Sequence, residues 1–452
     1  MTHLNFFLTK LINIFVYVKL FYYFRTINVI LKNMKIKITL LIGILGICFS
    51  MKISAETSQF MAGVAKVNIT PTPEQQGQGT VVDSLYAQCL ILEADGVRIA
   101  FISLDLGGYT NSDGLSILKQ RHRLNELYFC PSHTHTARAS DMQWLNNKLI
   151  ELVDKAANNM FEARISGGHK PIMPLATNRL IVRSNGRARE YWFEDELIKY
   201  ENPDRLMFGP IDSSIGVIRI DDINGKPRGI LLNYACHPDA LVAVRSIISG
   251  DYPGYAKRFV EAAFNNEVIC LFVQGGAGDQ GSLFKKPTDG TELKNYIDMV
   301  KRKGELLARE TVSFAKELSP NLNDEQGILL TTDSLNLKNR YDDDVATIHF
   351  STILINNRFA IATFPGEPFI KFQIDWKRDM SPHTIPFFFG YTWNGGQWPT
   401  YVPDIRKAAL GGYGADFGPV RAPGSGEAVM ARHLLNYYTM TGLMRTKSPT
   451  SP

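Results

Sequence analysis

The sequence predicts a layered α/β protein whose mixed β-sheet core is covered by helices, with the active site at the C-terminal ends of strands. Short, nearly continuous apolar runs indicate strands that are buried on both faces. These runs fall at residues 87–94, 98–104, 127–130, 214–220, 229–236 and 268–273. Helical periodicity appears between them, at residues 144–163, 252–265 and 291–318. Strands that alternate with helices favour this fold class, and the Asn224-Gly225 pair predicts a hairpin that makes part of the sheet antiparallel.

The composition is that of an ordinary globular protein. Of the 452 residues, 45% are hydrophobic and 21% are charged, which disfavours disorder and repeat architectures. The formal net charge is only +5, and basic residues alternate with acids, so the sequence does not predict nucleic-acid binding. No obligate protein partner is evident from the sequence. No C-x-x-C pair occurs, and buried free thiols are predicted over disulfides for four cysteines: Cys89, Cys130, Cys236 and Cys270.

The N-terminal residues predict export. Residues 34–55 have the pattern of a signal peptide, with lysines, a short apolar run and small residues at Ser54-Ala55. We interpret Met34 as the true start and residues 1–33 as mis-called upstream sequence. The predicted location is periplasmic or extracellular, and a membrane anchor formed by the apolar segment is the alternative. Residues 60–445 are predicted to form one domain, followed by a tail at 446–452.

Histidines follow two of the predicted strands. His133 and His135 come directly after the strand at 127–130, and in extended backbone residues i and i+2 point to the same side. His237 follows the strand at 229–236 in the same way. Neutral imidazole is a common zinc ligand, so these residues predict a shared metal site. The alternatives are solvated loop histidines for the first pair and a hydrogen-bonded structural residue for His237.

A glycine-rich loop follows the strand at 268–273. Residues 276–281 satisfy G-x-G-x-x-G, but Pro287 and Asp289-Gly290 follow where a helix should begin, which argues against dinucleotide binding. The backbone amides of this loop could approach an oxyanion, and a simple tight turn is the alternative. Farther on, Glu367 follows an apolar strand between Gly366 and Pro368.

In their order along the chain, these motifs resemble the N-terminal catalytic domain of the neutral/alkaline, non-lysosomal ceramidases. The resemblance runs from about residue 62 to 413 and is that of a divergent, bacterial-type member. Its matches are residues 62–71, His133-Thr134-His135, Asn178-Arg179, Asn224-Gly225, residues 249–255, Gly278-Asp279, Pro365-Gly366-Glu367, and Tyr401 with Tyr413.

The resemblance implies a set of site residues. Zinc would be held by His133, His237, Glu367 and Tyr401. His135 and Arg179 would contact the scissile group, with Tyr413 beside them. Substrate would also meet the loop that contains Gly278, Asp279, Gly281 and Ser282. One position departs from the family, because the serine that the ceramidases need corresponds to Gly281, and Ser282 comes one residue late.

The predicted function is therefore a secreted, zinc-dependent amidohydrolase that cleaves an N-acyl bond with a zinc-activated water. Ceramide, a substrate of sphingolipid metabolism, is one candidate among small-molecule, lipid or glycan substrates, and transient membrane contact is compatible with this. A carbohydrate-directed deacylase or esterase is an alternative, because the loop at 394–398, with Trp144 and Trp192, could form a stacking platform. The same tryptophans could instead be core residues. A non-catalytic binding protein with a structural zinc is the third alternative.

Overall fold

The computed structural model describes residues 19–21, 23, 25, 59–77, 79–191, 207–242, 247–283 and 292–444. The chain divides into two compact units, Met1–Thr57 and Ser58–Pro452. In the first unit the five described residues are helical. The predicted signal peptide, the proposed start at Met34 and the tail at 446–452 lie outside the described residues.

The second unit alternates strands and helices along its length. The strands are β1 Met61–Asn68, β2 Thr80–Val81, β3 Tyr86–Ala94, β4 Val97–Leu104, β5 Glu126–Pro131, β6 Phe161–Pro171, β7 Ala176–Asn178, β8 Leu180–Val182, β9 Ala188–Glu190, β10 Met207–Phe208, β11 Ser214–Asp222, β12 Pro227–Tyr234, β13 Ile247–Ile248, β14 Ile269–Gln274, β15 Gln280–Ser282, β16 Ile328–Lys338, β17 Val345–Ile355, β18 Phe359–Phe364, β19 Glu367–Pro368, β20 Ile385–Gly390 and β21 Tyr401–Val402. The helices are α1 Ser112–His122, α2 Met142–Asn158, α3 Asp251–Ala263, α4 Leu293–Glu317, α5 Ile370–Met380, α6 Ile405–Leu410 and α7 Ser425–Met440.

Two mixed sheets form the core. The larger has eight strands in the order β14-β12-β11-β6-β1-β3-β4-β5, and the smaller has four in the order β16-β17-β18-β20. Three neighbouring pairs are parallel, namely β4 with β5, β12 with β14, and β18 with β20. The other neighbouring pairs in these two sheets are antiparallel, including the predicted β11–β12 hairpin.

The sheets pack face to face, with helices on both outer faces. Buried residues between the sheets include Phe101 and Val273 from the large sheet and Phe359 and Phe389 from the small one. Helix α2 covers part of the outer face of the large sheet, and α3 and α4 cover another part. Helices α5 and α7 cover the small sheet. Since consecutive strand residues point to opposite faces, Ile361 of β18 joins the inner layer while Ala360 and Ala362 face the helices. The predicted layered α/β class is confirmed.

One predicted helix is too long. The helix expected at 144–163 ends at Asn158, and β6 begins at Phe161 and pairs with β1 and β11. Residues 161–165 alternate between apolar and charged side chains with a period of two, which is a strand pattern, and two asparagines interrupt the helical pattern before it. The predicted strand at 229–236 likewise ends at Tyr234, so Cys236 belongs to the loop that leads to His237.

The described part of the domain agrees with two further expectations. The four described cysteines are buried free thiols. Gly225 has φ +78°, as the hairpin turn between β11 and β12 requires. Among the described helices, none is long and apolar enough to cross a membrane.

Candidate metal centre and active site

The turn after β5 carries His133 and His135. Backbone N–H groups of Ser132 and His133 donate to the carbonyls of Leu104 and Leu106, at 2.8 and 3.0 Å, which fixes the turn beside the end of β4. His133 has φ +70°, in the left-handed region, which costs a non-glycine residue about 1–2 kcal/mol and is common at functional sites. The extended backbone that we expected for residues 133–135 is therefore absent at His133. The two rings nevertheless lie close, with centroids 5.1 Å apart.

His237 approaches the same point from the neighbouring part of the sheet. It lies three residues past the end of β12 and is only 1% exposed. Its Nδ1 lies 2.8 Å from the carbonyl oxygen of Ala277, and Nδ1 of His133 lies 2.8 Å from that of Gly107. A carbonyl oxygen only accepts, so each Nδ1 is the donor, and each neutral ring keeps its Nε2 lone pair for another partner. This is the arrangement that orients histidines toward a metal.

Glu367 and Tyr401 come from the small sheet's side of the domain. Glu367 lies just beyond β18, and its strand β19 pairs in parallel with β21 so that Glu367 and Tyr401 are directly opposite. The Glu367 N–H donates to the carbonyl of Thr400 at 2.8 Å. Gly366 turns the chain with φ +81°, where an added Cβ would meet the Thr400 carbonyl oxygen at 2.6 Å. The local backbone therefore places both side chains on one face.

The three donors converge. Oε2 of Glu367 lies 3.5 Å from Nε2 of His133 and 3.4 Å from Nε2 of His237. Two ligands of a tetrahedral zinc with bonds of about 2.0–2.1 Å stand about 3.3–3.4 Å apart, so these separations fit one ion. Nε2 of His237 is buried and makes no hydrogen bond within the described residues. Lone pairs on two imidazoles that face a carboxylate repel one another unless a cation lies between them, so the donor set suits a metal.

The charge states agree with this arrangement. Burial would raise the pKa of Glu367, but positive charge and N–H donors on the facing His133 and His237 hold that pKa well below its usual range, and a metal ion in place of those protons would act in the same direction. Burial, with Arg179 nearby, lowers the pKa of His237, which favours the neutral imidazole that a metal needs.

His135 completes a second possible ligand set. Its ring centroid lies 5.4 Å from that of His237, and the nearest ligand atoms of His133, His135 and His237 all lie within 4.8 Å of one another. Partial burial and the two neighbouring histidines lower the pKa of His135, so this ring is also neutral. The three histidines are compatible with a metal, with His135 either binding it or facing the reaction beside it.

Arg179 lies behind the two tyrosines. Its Nη2 donates to the Tyr401 hydroxyl at 3.3 Å and also to the Gly278 carbonyl, and its guanidinium carbon lies 5.9 Å from the centroid of the Tyr413 ring. Burial raises the pKa of the Tyr401 hydroxyl well above its usual range, and Arg179 opposes that rise. The ring centroids of Tyr401 and Tyr413 are 5.2 Å apart. Both tyrosines line a cavity that opens over the histidines, whereas Arg179 does not.

The glycine-rich loop forms a scaffold behind the site. The carboxylate of Asp279 accepts from Asn178 Nδ2 at 2.6 Å and from the Ile370 N–H at 2.9 Å, which ties β7 to the start of α5. Gly278 packs against the Glu367 carbonyl. Ser282 is buried with its hydroxyl 3.3 Å from Lys303 Nζ. None of these residues lines the cavity.

A side chain at position 281 would require neighbouring side chains to move. A Cβ at Gly281 would lie 2.7 Å from the Tyr191 hydroxyl and 3.1 Å from Cγ of Arg179. Tyr191 therefore fills the space in which a serine side chain would begin, and Gly281 too stays outside the cavity lining.

A cavity of about 620 Å³ opens over the converging histidines. Its walls include Tyr109, Arg138, Met142 and Trp398, none of which received a role from the sequence alone except Trp398 as part of the predicted platform. Trp144 does not line this cavity, and both Trp144 and Trp398 pack partly buried against the core of the large sheet. Trp192 lies outside the described residues.

Tyr391 was missed by sequence reasoning. It is fully buried directly after β20, and its ring centroid lies 4.7 Å from that of His133. Its hydroxyl lies 3.5 Å from Glu367 Oε2. The available signal was its position at the end of an apolar strand, the same signal that singled out His133 and His237.

Comparison with solved structures identifies the fold. No protein-family model matches the chain. A crystal structure of neutral ceramidase from Pseudomonas aeruginosa superposes with a TM-score of 0.65 and 14% sequence identity, and covers 87% of this chain and 76% of the other. A structure described as ceramidase complexed with C2 gives the same TM-score and identity, over 87% and 77% of the two chains. The protein therefore has a neutral ceramidase-like fold.

Proposed function

We propose that the protein is an exported, zinc-dependent hydrolase that cleaves an N-acyl bond with an activated water. The observation that carries the proposal is the convergence of His133 Nε2, His237 Nε2 and Glu367 Oε2, with His133 and Glu367 lining an open cavity and His237 buried behind them. The likeness to neutral ceramidases supports the hydrolytic reaction class, and the N-terminal pattern at residues 34–55 supports export.

In this proposal His133, His237, Glu367 and Tyr401 hold the ion. The carbonyls of Gly107 and Ala277 keep both imidazoles in the required tautomer. When bound with an open position, zinc activates a water molecule for attack at neutral pH.

The remaining polar groups divide the work of the reaction. The neutral imidazole of His135 takes a proton from the attacking water and gives it to the leaving nitrogen. Tyr413 faces the cavity and donates to the acyl oxygen as negative charge develops there. Arg179 contributes positive charge from behind Tyr401 and Tyr413 and positions the Tyr401 hydroxyl. Water adds to the acyl carbon, the C–N bond breaks, and the products are a carboxylate and an amine.

Trp398 favours one second candidate. Because this ring lines the cavity, a sugar could stack on it, which keeps a carbohydrate-directed deacylase or esterase in consideration. The substrate panel below includes such compounds for that reason.

The test measures metal content and hydrolysis on the same protein. Zinc per chain is determined for the wild type, His133→Ala and His135→Gln, and turnover is measured on N-acyl sphingosines, N-acyl amino acids, N-acetyl sugars and simple acyl esters. We expect one zinc per chain in the wild type, lost in His133→Ala, and turnover lost in both variants. Zinc without turnover on every panel member would favour a binding role with a structural zinc, and a wild type free of zinc would refute the proposal.

A further inference from the structure

Arg138 is a cation on the wall of the cavity with no partner among the described residues. It lies three residues past His135, on the segment that leads to α2, and its side chain is exposed. It makes no ion pair or hydrogen bond with any residue in the described ranges, whereas Arg121, Arg187 and Arg219 are each paired with an aspartate. Its guanidinium group is therefore available to a ligand.

No acid in the cavity neutralises this charge. Of the described residues that line the cavity, Glu367 alone carries a carboxylate, and its Oε2 faces His133 and His237. The lining also includes the uncharged hydroxyl side chains of Thr110 and Thr400. The buried charge of Arg179 behind the tyrosines, and an ion on the histidines, would both make the cavity more positive, and Asp239, whose charge acts on His135 and Arg179 from outside the lining, offsets part of this. A concave site of one sign concentrates ligands of the opposite sign.

The dimensions suit a small molecule. A volume of about 620 Å³ lies within the range of pockets for single small ligands, and the planar guanidinium fork of arginine matches a carboxylate or phosphate bidentately. Trp398 and Met142 provide apolar wall for a short acyl chain or ring.

We propose that Arg138 anchors an anionic group on the substrate, so that the preferred substrates are N-acyl compounds with a free acid, of which N-acyl amino acids are the simplest. This inference rests on the proposed hydrolase function and specifies the substrate of that site. Arg138 is a specificity-determining residue that binds the part of the substrate that does not react. The products would be a fatty or short-chain carboxylate and a free amino acid.

The test uses three substrates with the same acyl group: N-hexanoylglycine, N-hexanoylethanolamine and N-hexanoylphosphoethanolamine. They present a carboxylate, a neutral hydroxyl and a phosphate. We expect the wild type to prefer the anionic members, and Arg138→Gln to lower the ratio of kcat/KM for anionic over neutral substrate by about 10- to 100-fold, the loss expected for a charge-assisted bidentate contact. Arg138→Lys should restore part of that ratio. The ranking of carboxylate and phosphate in the wild type identifies which anion the site takes.

Two controls separate the outcomes. Arg302→Gln removes an exposed arginine on α4, outside the cavity, and should leave the ratio unchanged. A wild type with no anionic preference, or a ratio unaltered in Arg138→Gln, would overturn the inference while hydrolysis of the neutral substrate still supports the enzyme. If no substrate is hydrolysed, the proposed function fails and N-hexanoylglycine binding by calorimetry decides: equal affinity for wild type and Arg138→Gln would refute the anchor, and at least tenfold weaker binding by the variant would support it.

Discussion

Glu367 and Tyr401 lie directly opposite each other on two short parallel strands, and the Glu367 N–H donates to the carbonyl of the residue before Tyr401 at 2.8 Å. Backbone pairing thus positions two prospective ligands together, independently of the turn that carries His133 and His135. Substitutions can therefore test the Glu367–Tyr401 pair and the histidine turn separately.

The first prediction decides between the two ligand sets. We expect Tyr401→Phe to weaken zinc binding by more than about 100-fold, beyond the effect of losing an outer-shell partner, and His135→Gln to keep stoichiometric zinc while losing turnover. Competition with a chromogenic chelator measures both affinities. Retention of zinc in Tyr401→Phe together with its loss in His135→Gln would instead assign the metal to the three histidines.

The second prediction concerns the turn at Gly366. A methyl group there would lie 2.6 Å from the Thr400 carbonyl oxygen and 2.5 Å from Cγ of Pro399, at φ +81°. We expect Gly366→Ala to lower the free energy of unfolding by about 1–3 kcal/mol and also to weaken metal binding, because Glu367 must move. Gly96→Ala is the matched control, since Gly96 has φ +75° with no atom within 4 Å. If both variants lose only stability, measured by urea unfolding and chelator competition, the turn does not position the carboxylate.

The third prediction concerns the space at Gly281. Because the Tyr191 hydroxyl would lie 2.7 Å from a new Cβ, Gly281→Ser should destabilise the protein by about 1–3 kcal/mol and disturb Arg179. Tyr191→Ala in the same chain should recover part of that loss, giving a favourable coupling energy in a double-mutant cycle. Thermal and urea unfolding of the four proteins measure it. Additive effects of the two substitutions would mean that the new side chain at position 281 does not press against Tyr191.

The fourth prediction is a pH dependence of stability. Asp251 is fully buried at the start of α3, and burial raises the pKa of its carboxyl group to about 7, with the charges of Asp239 and Asp83 adding to the rise and that of Lys303 opposing it. In the unfolded chain this pKa is about 4, so the folded state binds the proton more tightly. The contribution of protonated Asp251 to the free energy of unfolding is fully present below about pH 4. It decreases by on the order of 2–4 kcal/mol as the pH rises toward 7.

Asp251→Asn tests that dependence, because asparagine has the same shape and tolerates the φ of +52° at this position. We expect the variant's free energy of unfolding, measured in urea with metal chelated, to fall less between pH 5 and 8 than that of the wild type. Asp113→Asn, which changes an exposed acid on α1, should follow the wild type. Parallel curves for all three proteins would contradict the prediction.

The sequence predicted six of the eight strands of the large sheet, all except β1 and β6, because those six form nearly unbroken apolar runs. Runs of this kind located His133, His237 and Glu367, since each follows a strand. The alternation at residues 161–165 was hidden by the helical pattern before it, so the first three residues of β6 were assigned to a helix.

Other features depended on side-chain packing between distant segments. The resemblance supplied a role for Arg179, but only the coordinates reveal that it lies behind Tyr401 rather than in the cavity lining. The obstruction of Gly281 by Tyr191 needs the three-dimensional path of both segments. The sequence does not distinguish Arg138 from any other surface arginine, because its position on the cavity wall and its lack of a partner among the described residues are properties of the folded chain.

The face-to-face arrangement of the two sheets has a consequence for folding. His133 and His237 follow strands of the large sheet, and Glu367 follows a strand of the small one. An ion bound by all three residues would therefore link the two sheets. The free energy of metal binding would then also stabilise the packing of the two sheets against each other. Chelation would loosen the attachment of one half of the molecule to the other, as well as stopping hydrolysis.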